Sequence, residues 1–231
     1  MIKRIASFLT LVAALAACGG GSRWRRPVEP LHYLAKAQLQ FPAFPPAPAA
    51  GSGTDQADLK ALHDWQAKRT PAQCVRARSE AEETFDEFFG GVSPFSRPTA
   101  PEAAAILERV HADALAAVSV VKKRNKRERP FRRDPTLEPC LRRIGGFAYP
   151  SGHATVSHVF GRLLSDLEPR RKDEFMTRSD EAALDRVIGG VHHPSDIEAG
   201  KRLGDEVYAD LLASPVFRGD MDQLRRLLAP R

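Results

Sequence analysis

Residues 101–122 read PEAAAILERVHADALAAVSVVK, and their spacing decides the fold. Ala103, Ile106, Leu107, Val110, Ala114, Ala117, Val118 and Val121 recur at helical intervals, so one apolar face runs along a helix about twenty residues long. Thr99-Ala100-Pro101-Glu102 opens it with a capping-box pattern and a proline near the first turn. The helix delivers Lys122 at its C-terminal end, where the macrodipole favours a cation.

The same period extends outward. Upstream, Thr70-Pro71-Ala72-Gln73 is a second start signal; Cys74, Ala77, Ala81, Phe85 and Phe88 then keep helical spacing, which predicts a helix continuing until Gly90-Gly91 end it. Downstream, helices are expected over about 151–166, 169–186, 194–212 and 221–228. There is no convincing alternating strand and no internal repeat, so the expected fold is all-α. At 231 residues and 42% hydrophobic content the chain can bury one ordinary core, and none of these helices is apolar for eighteen residues running.

The N-terminus is read apart from the domain. Lys3 and Arg4 precede an apolar run from Ile5 to Ala17, flanked like an export signal, and Leu15-Ala16-Ala17-Cys18 resembles a lipobox. The expected organisation is a signal peptide over 1–17, then a lipidated Cys18 and a Gly/Pro-rich tether over 18–53 whose second half, with Phe41 and Phe44, lies against the domain. A helical domain follows over 54–231. This predicts a periplasmic protein anchored to the outer membrane through its lipid, with a plain secretory signal as the alternative. In an oxidising compartment Cys74 and Cys140 are expected to pair, a link that contributes about 2–4 kcal/mol, the alternative being two buried thiols. Loss of Lys3 and Arg4 lowers the formal charge of +6 by two. The remaining excess suits anionic ligands without implying nucleic acid.

Three stretches carry chemistry. Between Lys122 and Arg133 basic residues are interrupted by a single acid, Glu128; no aromatic residue interleaves before Phe131, so this is a solvated loop rather than a nucleic-acid surface, apart from Lys122 and Arg129. Pro150-Ser151-Gly152-His153 joins a possible helix cap to a glycine that lets backbone approach a ligand, so free amides and a positive helix terminus face one spot beside an imidazole. Finally, Arg186, His192 and Asp196 precede and open a helix at Pro194; a carboxylate on one ring nitrogen of His192 fixes the tautomer and frees the other to attack. Read singly, these are an ordinary helix start, a capping aspartate and surface histidines.

Taken jointly, Lys122 with Arg129-Pro130, then Pro150-Ser151-Gly152-His153, then Arg186, His192 and Asp196 resemble the three-part signature of the phosphatidic acid phosphatase type 2 superfamily. Within it the chain is most similar to the class A bacterial non-specific acid phosphatases, from the proline-rich segment near residue 41 to the C-terminal helices. The resemblance implies a single compact helical domain of the acid phosphatase and vanadium haloperoxidase type, exported, needing neither metal nor cofactor and acting on small phosphomonoesters. It implies that Lys122, Arg129 and Arg186 bind phosphoryl oxygens with the Ser151 hydroxyl and the amides of Ser151 and Gly152. His192 would be the nucleophile, Asp196 would orient it and His153 would protonate the leaving oxygen, with an acidic optimum because His153 must be charged while His192 is neutral. Two departures stand out. Asp185 precedes Arg186 where the family usually has serine, and 187–191 lacks a cysteine common in relatives. The competing functions are a lipid phosphate or pyrophosphate phosphatase, a vanadium-dependent haloperoxidase, and a non-catalytic anion-binding envelope lipoprotein.

Overall fold

A computed structural model describes residues 31–95 and 99–228; the leader, Cys18 and the first half of the tether lie outside the described residues. The helices are α1 (Gly53–Lys68), α2 (Pro71–Ser79), α3 (Phe85–Phe89), α4 (Pro101–Asn125), α5 (Pro130–Arg133), α6 (Gly152–Leu167), α7 (Lys172–Ile188), α8 (Pro194–Ala213) and α9 (Pro215–Arg226). Among the described residues there is no strand, and an isolated antiparallel bridge pairs Phe95 with Leu228. The all-helical reading holds.

The α4 face lies in the core, with Ala103, Val110, Ala114, Ala117 and Val121 wholly shielded from solvent. Burial of such a face, rather than intrinsic propensity, supplies most of a helix's stability. α6 runs through the middle against α7, α8 and α4 and is buried on nearly every side. It comes close to α8 because α8 presents glycines: a Cβ at Gly200 would stand 2.7 Å from both Ala154 Cβ and the Ser151 carbonyl oxygen, a separation real atoms do not tolerate. This contact sets the start of α6 beside the start of α8.

The segment before α1 packs onto the core. Buried Asp113 of α4 accepts the amides of His32, Tyr33 and Leu34 at 2.8–2.9 Å, and Leu39, Phe41 and Phe44 are buried. Cys74 and Cys140 form a disulfide that ties α2 to the loop leading into α6.

Three local expectations need correction. The helix read from Pro71 to Gly90 is broken: α2 stops at Ser79, and Thr84 caps a separate α3 by accepting the Glu87 amide at 3.3 Å. Glu80, at the break, is drawn inward by an ion pair with Arg178, which a continuing surface helix would not make. Thr99 does not cap α4; Ala100 takes that position so that Pro101 occupies the first turn, and the Thr99 hydroxyl donates to Asp86. The last helix begins earlier than expected, with Pro215 in its first turn.

Candidate active site

The chemistry-bearing residues are held at helix ends that converge. Lys122 is in the last turn of α4, Arg129 caps α5, and Ser151, Gly152 and His153 start α6. Arg186 is in the last turn of α7, His192 follows in the turn to α8, and Asp196 is in the first turn of α8. That turn bends back at Gly190, whose φ of 78° favours glycine, so that the His192 amide reaches the Arg186 carbonyl at 3.3 Å.

Two guanidinium groups dominate the site. Arg129 and Arg186 are 2% and 3% exposed, yet both keep a buried Nε–H without a hydrogen-bond partner. Arg186 makes one long bond, from Nη1 to the Ala77 carbonyl at 3.4 Å, and Arg129 donates to the carbonyls of Val191 at 3.0 Å and Gly145 at 3.4 Å. Lys122 Nζ donates to the Phe147 carbonyl at 2.8 Å. Burying cations with unmet donors is costly unless an anion completes them. Their proton affinities report the same strain: burial, with Arg129 adding its repulsion, pushes Lys122 down to about 7, and burial brings Arg129 to about 10 and lowers Arg186.

Arg129 also reads out the state of His192. Its Nη1 lies 2.6 Å from His192 Nε2, and a guanidinium can only donate, so Nε2 presents its lone pair and the ring proton sits on Nδ1. His192 Nδ1 faces Asp196 Oδ2 at 3.4 Å. Burial and then Arg129 hold the His192 imidazole well below its usual range, so it is neutral with Nε2 directed into the cationic site. This is the tautomer a nucleophile requires.

Asp196 serves more partners than the sequence suggests. The same Oδ2 accepts the His193 amide at 2.8 Å and faces His193 Nδ1 at 2.9 Å, closer than His192, while Oδ1 accepts from Arg127 at 2.7 Å. The helix-capping and histidine-orienting readings of this residue therefore coexist. Burial pushes its carboxyl up, but hydrogen bonding to His192 and His193 outweighs that and holds it well below the ordinary carboxylate range. His193 has its Nδ1 taken up by Asp196, and its Nε2 is buried with no hydrogen-bond partner.

Arg127, read from sequence as part of a solvated charge run, is a structural corner. It is buried and donates to Asp58 at 2.8 Å, Asp55 at 3.1 Å and Ser195 Oγ at 2.7 Å as well as to Asp196. This joins α1 to the first turn of α8. Asp185, the departure beside Arg186, is buried in a bidentate pair with Arg76, 2.6 and 2.7 Å long. Its charge is thereby matched.

The α6 end needs one correction. Ser151 caps the helix as read, its Oγ accepting the Ala154 amide at 3.3 Å, but the Ser151 amide donates to the Asp196 carbonyl at 2.9 Å and is not open to a ligand. The amides that head α6 toward the site are those of Gly152 and His153. His153 is buried, with Nε2 3.0 Å from the Glu80 carbonyl and Nδ1 3.1 Å from Glu83 Oε1; burial and then Arg186 lower its pKa.

No family model matches the chain. It is 35% identical over 118 residues to a non-specific acid phosphatase of Salmonella typhi, a match covering 48% of this chain and 46% of that protein. The aligned part of the chain thus spans about half the length of that relative. It is 27% identical over 212 residues to a non-specific acid phosphatase of Providencia stuartii, covering 84% of each. Among solved structures it resembles a bacterial vanadium-dependent iodoperoxidase, with a TM-score of 0.57 and 19% identity over 74% of this chain and 51% of the other. It also resembles a transmembrane PAP2-type phosphatidylglycerolphosphate phosphatase from Bacillus subtilis, with a TM-score of 0.51 and 17% identity over 77% and 90%. The resemblance drawn from the motifs is thus matched in named relatives, and the fold is that of the acid phosphatase and haloperoxidase type.

Proposed function

We propose that this relative of the non-specific acid phosphatases hydrolyses phosphomonoesters by passing the phosphoryl group through His192. The observation that carries the reading is the pair of buried guanidinium groups, each with an unmet Nε–H, beside an imidazole whose Nε2 presents a lone pair. A phosphoryl group supplies the oxygens those donors lack. Arg129, Arg186 and Lys122 take its charge with the Ser151 hydroxyl and the Gly152 and His153 amides, and Arg129 turns its N–H from His192 Nε2 to a phosphoryl oxygen.

His192 Nε2 then attacks phosphorus while the ester bond breaks, and the departing oxygen takes a proton from His153 Nδ1. The His192 Nδ1–H is held by Asp196, whose charge stabilises the phosphorylated ring. Water attacks the phosphohistidine, His153 removes its proton, and inorganic phosphate leaves with His192 neutral again. The fixed cations do the electrostatic work a metal ion does elsewhere.

The pH dependence follows from the two protonated groups the scheme needs. His153 acts as an acid only while charged, and its pKa is lowered from 6.5; Lys122 loses its charge at about 7. Both losses occur as pH rises, whereas His192 stays neutral far into the acid range. The expected result is p-nitrophenyl phosphate turnover that survives excess EDTA, with kcat/KM highest in mildly acid solution and falling through neutrality. Turnover abolished by EDTA, or a flat profile from acid to alkaline pH, contradicts the scheme.

Lys3-Arg4, the apolar run after them and Leu15-Ala16-Ala17-Cys18 support export and lipidation at Cys18, which would tether the phosphatase to the outer membrane facing the periplasm. Cys18→Ser is expected to move the protein from the membrane fraction to the soluble one; an unchanged membrane fraction rejects the anchor.

A further inference from the structure

Glu83 is a carboxylate that the scheme above does not use, and it stands inside the cationic site. It belongs to the short break between α2 and α3. Its Oε1 is 3.1 Å from His153 Nδ1, and its carboxylate fills the space left by the missing side chain of Gly152: a Cβ there would lie 3.0 Å from Oε2 and 3.2 Å from Oε1. Oε2 is buried and has no hydrogen-bond partner. Lys122, Arg129, Arg186 and His153 all feel its charge.

This is the set of groups assigned to the phosphoryl oxygens and the leaving oxygen. With Glu83 in place, both nitrogens of His153 are engaged, Nδ1 by the carboxylate and Nε2 by the Glu80 carbonyl, so neither can reach a leaving group. One contact must open. The Glu80 carbonyl belongs to a buried residue anchored by Arg178, whereas the Glu83 side chain is 29% exposed on its loop. Glu83 is therefore the group that yields.

We propose that Glu83 is an internal competitor for the phosphoryl site, its carboxylate occupying the position between Gly152 and His153 that substrate phosphate must take. It thereby lowers the enzyme's affinity for phosphate, product as well as substrate. The inference rests on the phosphatase reading, because it takes the cationic site to be the phosphoryl site. Two like charges cannot share that site, so each binding event includes the displacement of the carboxylate, and each release is assisted by its return. A simple structural role would predict the opposite effect of mutation, a site that is damaged and binds less.

The test is the Kd of inorganic phosphate, by calorimetry in mildly acid buffer with EDTA, for the purified parent protein, Glu83→Gln and Glu83→Ala. Both substitutions are expected to tighten phosphate by about tenfold, equivalent to about 1.4 kcal/mol. Equal or weaker binding by folded variants overturns the inference while leaving the phosphatase reading intact, and an absence of phosphate binding in parent and variants alike overturns both. A phosphate-bound structure of the parent serves if the variants do not fold. The carboxylate should then be away from His153, and a Glu83 Oε1 still on His153 Nδ1 beside bound phosphate contradicts the inference.

Discussion

His192→Ala is expected to lower kcat by about 10⁴-fold or more, with the protein still folded and still binding phosphate. The loss is this large because in the proposed scheme the side chain forms the bond to phosphorus, and the neighbouring imidazoles are otherwise engaged. His193 is adjacent, but its Nδ1 is engaged by Asp196 and its Nε2 is enclosed without a partner. His153 has both ring nitrogens engaged, by the Glu83 carboxylate and the Glu80 carbonyl. The groups proposed to bind phosphate are untouched by the change, and Arg129 is released from its 2.6 Å contact with His192, so the Kd of phosphate should hold or tighten. A residual kcat within about tenfold of the parent would place the nucleophile elsewhere.

Asp196→Asn is expected to carry the second largest effect, about 10³-fold in kcat, by removing a charge whose partners are in view. An asparagine no longer holds the proton on His192 Nδ1 by charge, so the ring can present the wrong tautomer to phosphorus. Asp196 has no contact with phosphate in the proposed scheme, so KM should change far less than kcat. The same substitution removes one carboxylate from buried Arg127, which retains Asp58 and Asp55. A stability loss of about 3 kcal/mol is expected, at the low end for a broken buried pair. Thermal denaturation beside steady-state kinetics separates the two effects. A variant with lowered stability and unchanged kcat would reduce Asp196 to a helix cap.

Much of this site is legible in sequence because its residues attach to helix punctuation. Lys122 ends an amphipathic helix, Ser151-Gly152-His153 begins one, and Pro194 places Asp196 in a first turn. Arg127 was not legible: in a run shared with Lys126, Arg129 and Arg132, only the tertiary arrival of Asp55 and Asp58 distinguishes it. Nor did spacing single out His193, whose closer approach to Asp196 depends on the exact bend of the turn.

Glu83 was hidden by the helical spacing of Cys74, Ala77, Phe85 and Phe88, which continues across the break between α2 and α3. A signal was present in Thr84-Phe85-Asp86-Glu87, which has the pattern of a helix start and caps α3. The helix α1 is masked in the sequence for a related reason: it is largely solvent-facing and follows a Gly/Pro-rich stretch, so neither an amphipathic face nor flanking context marks it. Its contribution, Asp55 and Asp58 beneath Arg127, is visible only once the chain is folded.

In the proposed reaction phosphorus becomes bonded to His192 Nε2. Rapid acid-free quenching of the enzyme turning over a radiolabelled phosphomonoester, in EDTA and mildly acid buffer, followed by peptide mapping, tests it directly. A base-stable, acid-labile phosphohistidine on His192 is expected, retained in a His193→Ala variant. Label on His193, or hydrolysis in bursts and steady state with no covalent phosphoenzyme at any time, would contradict it.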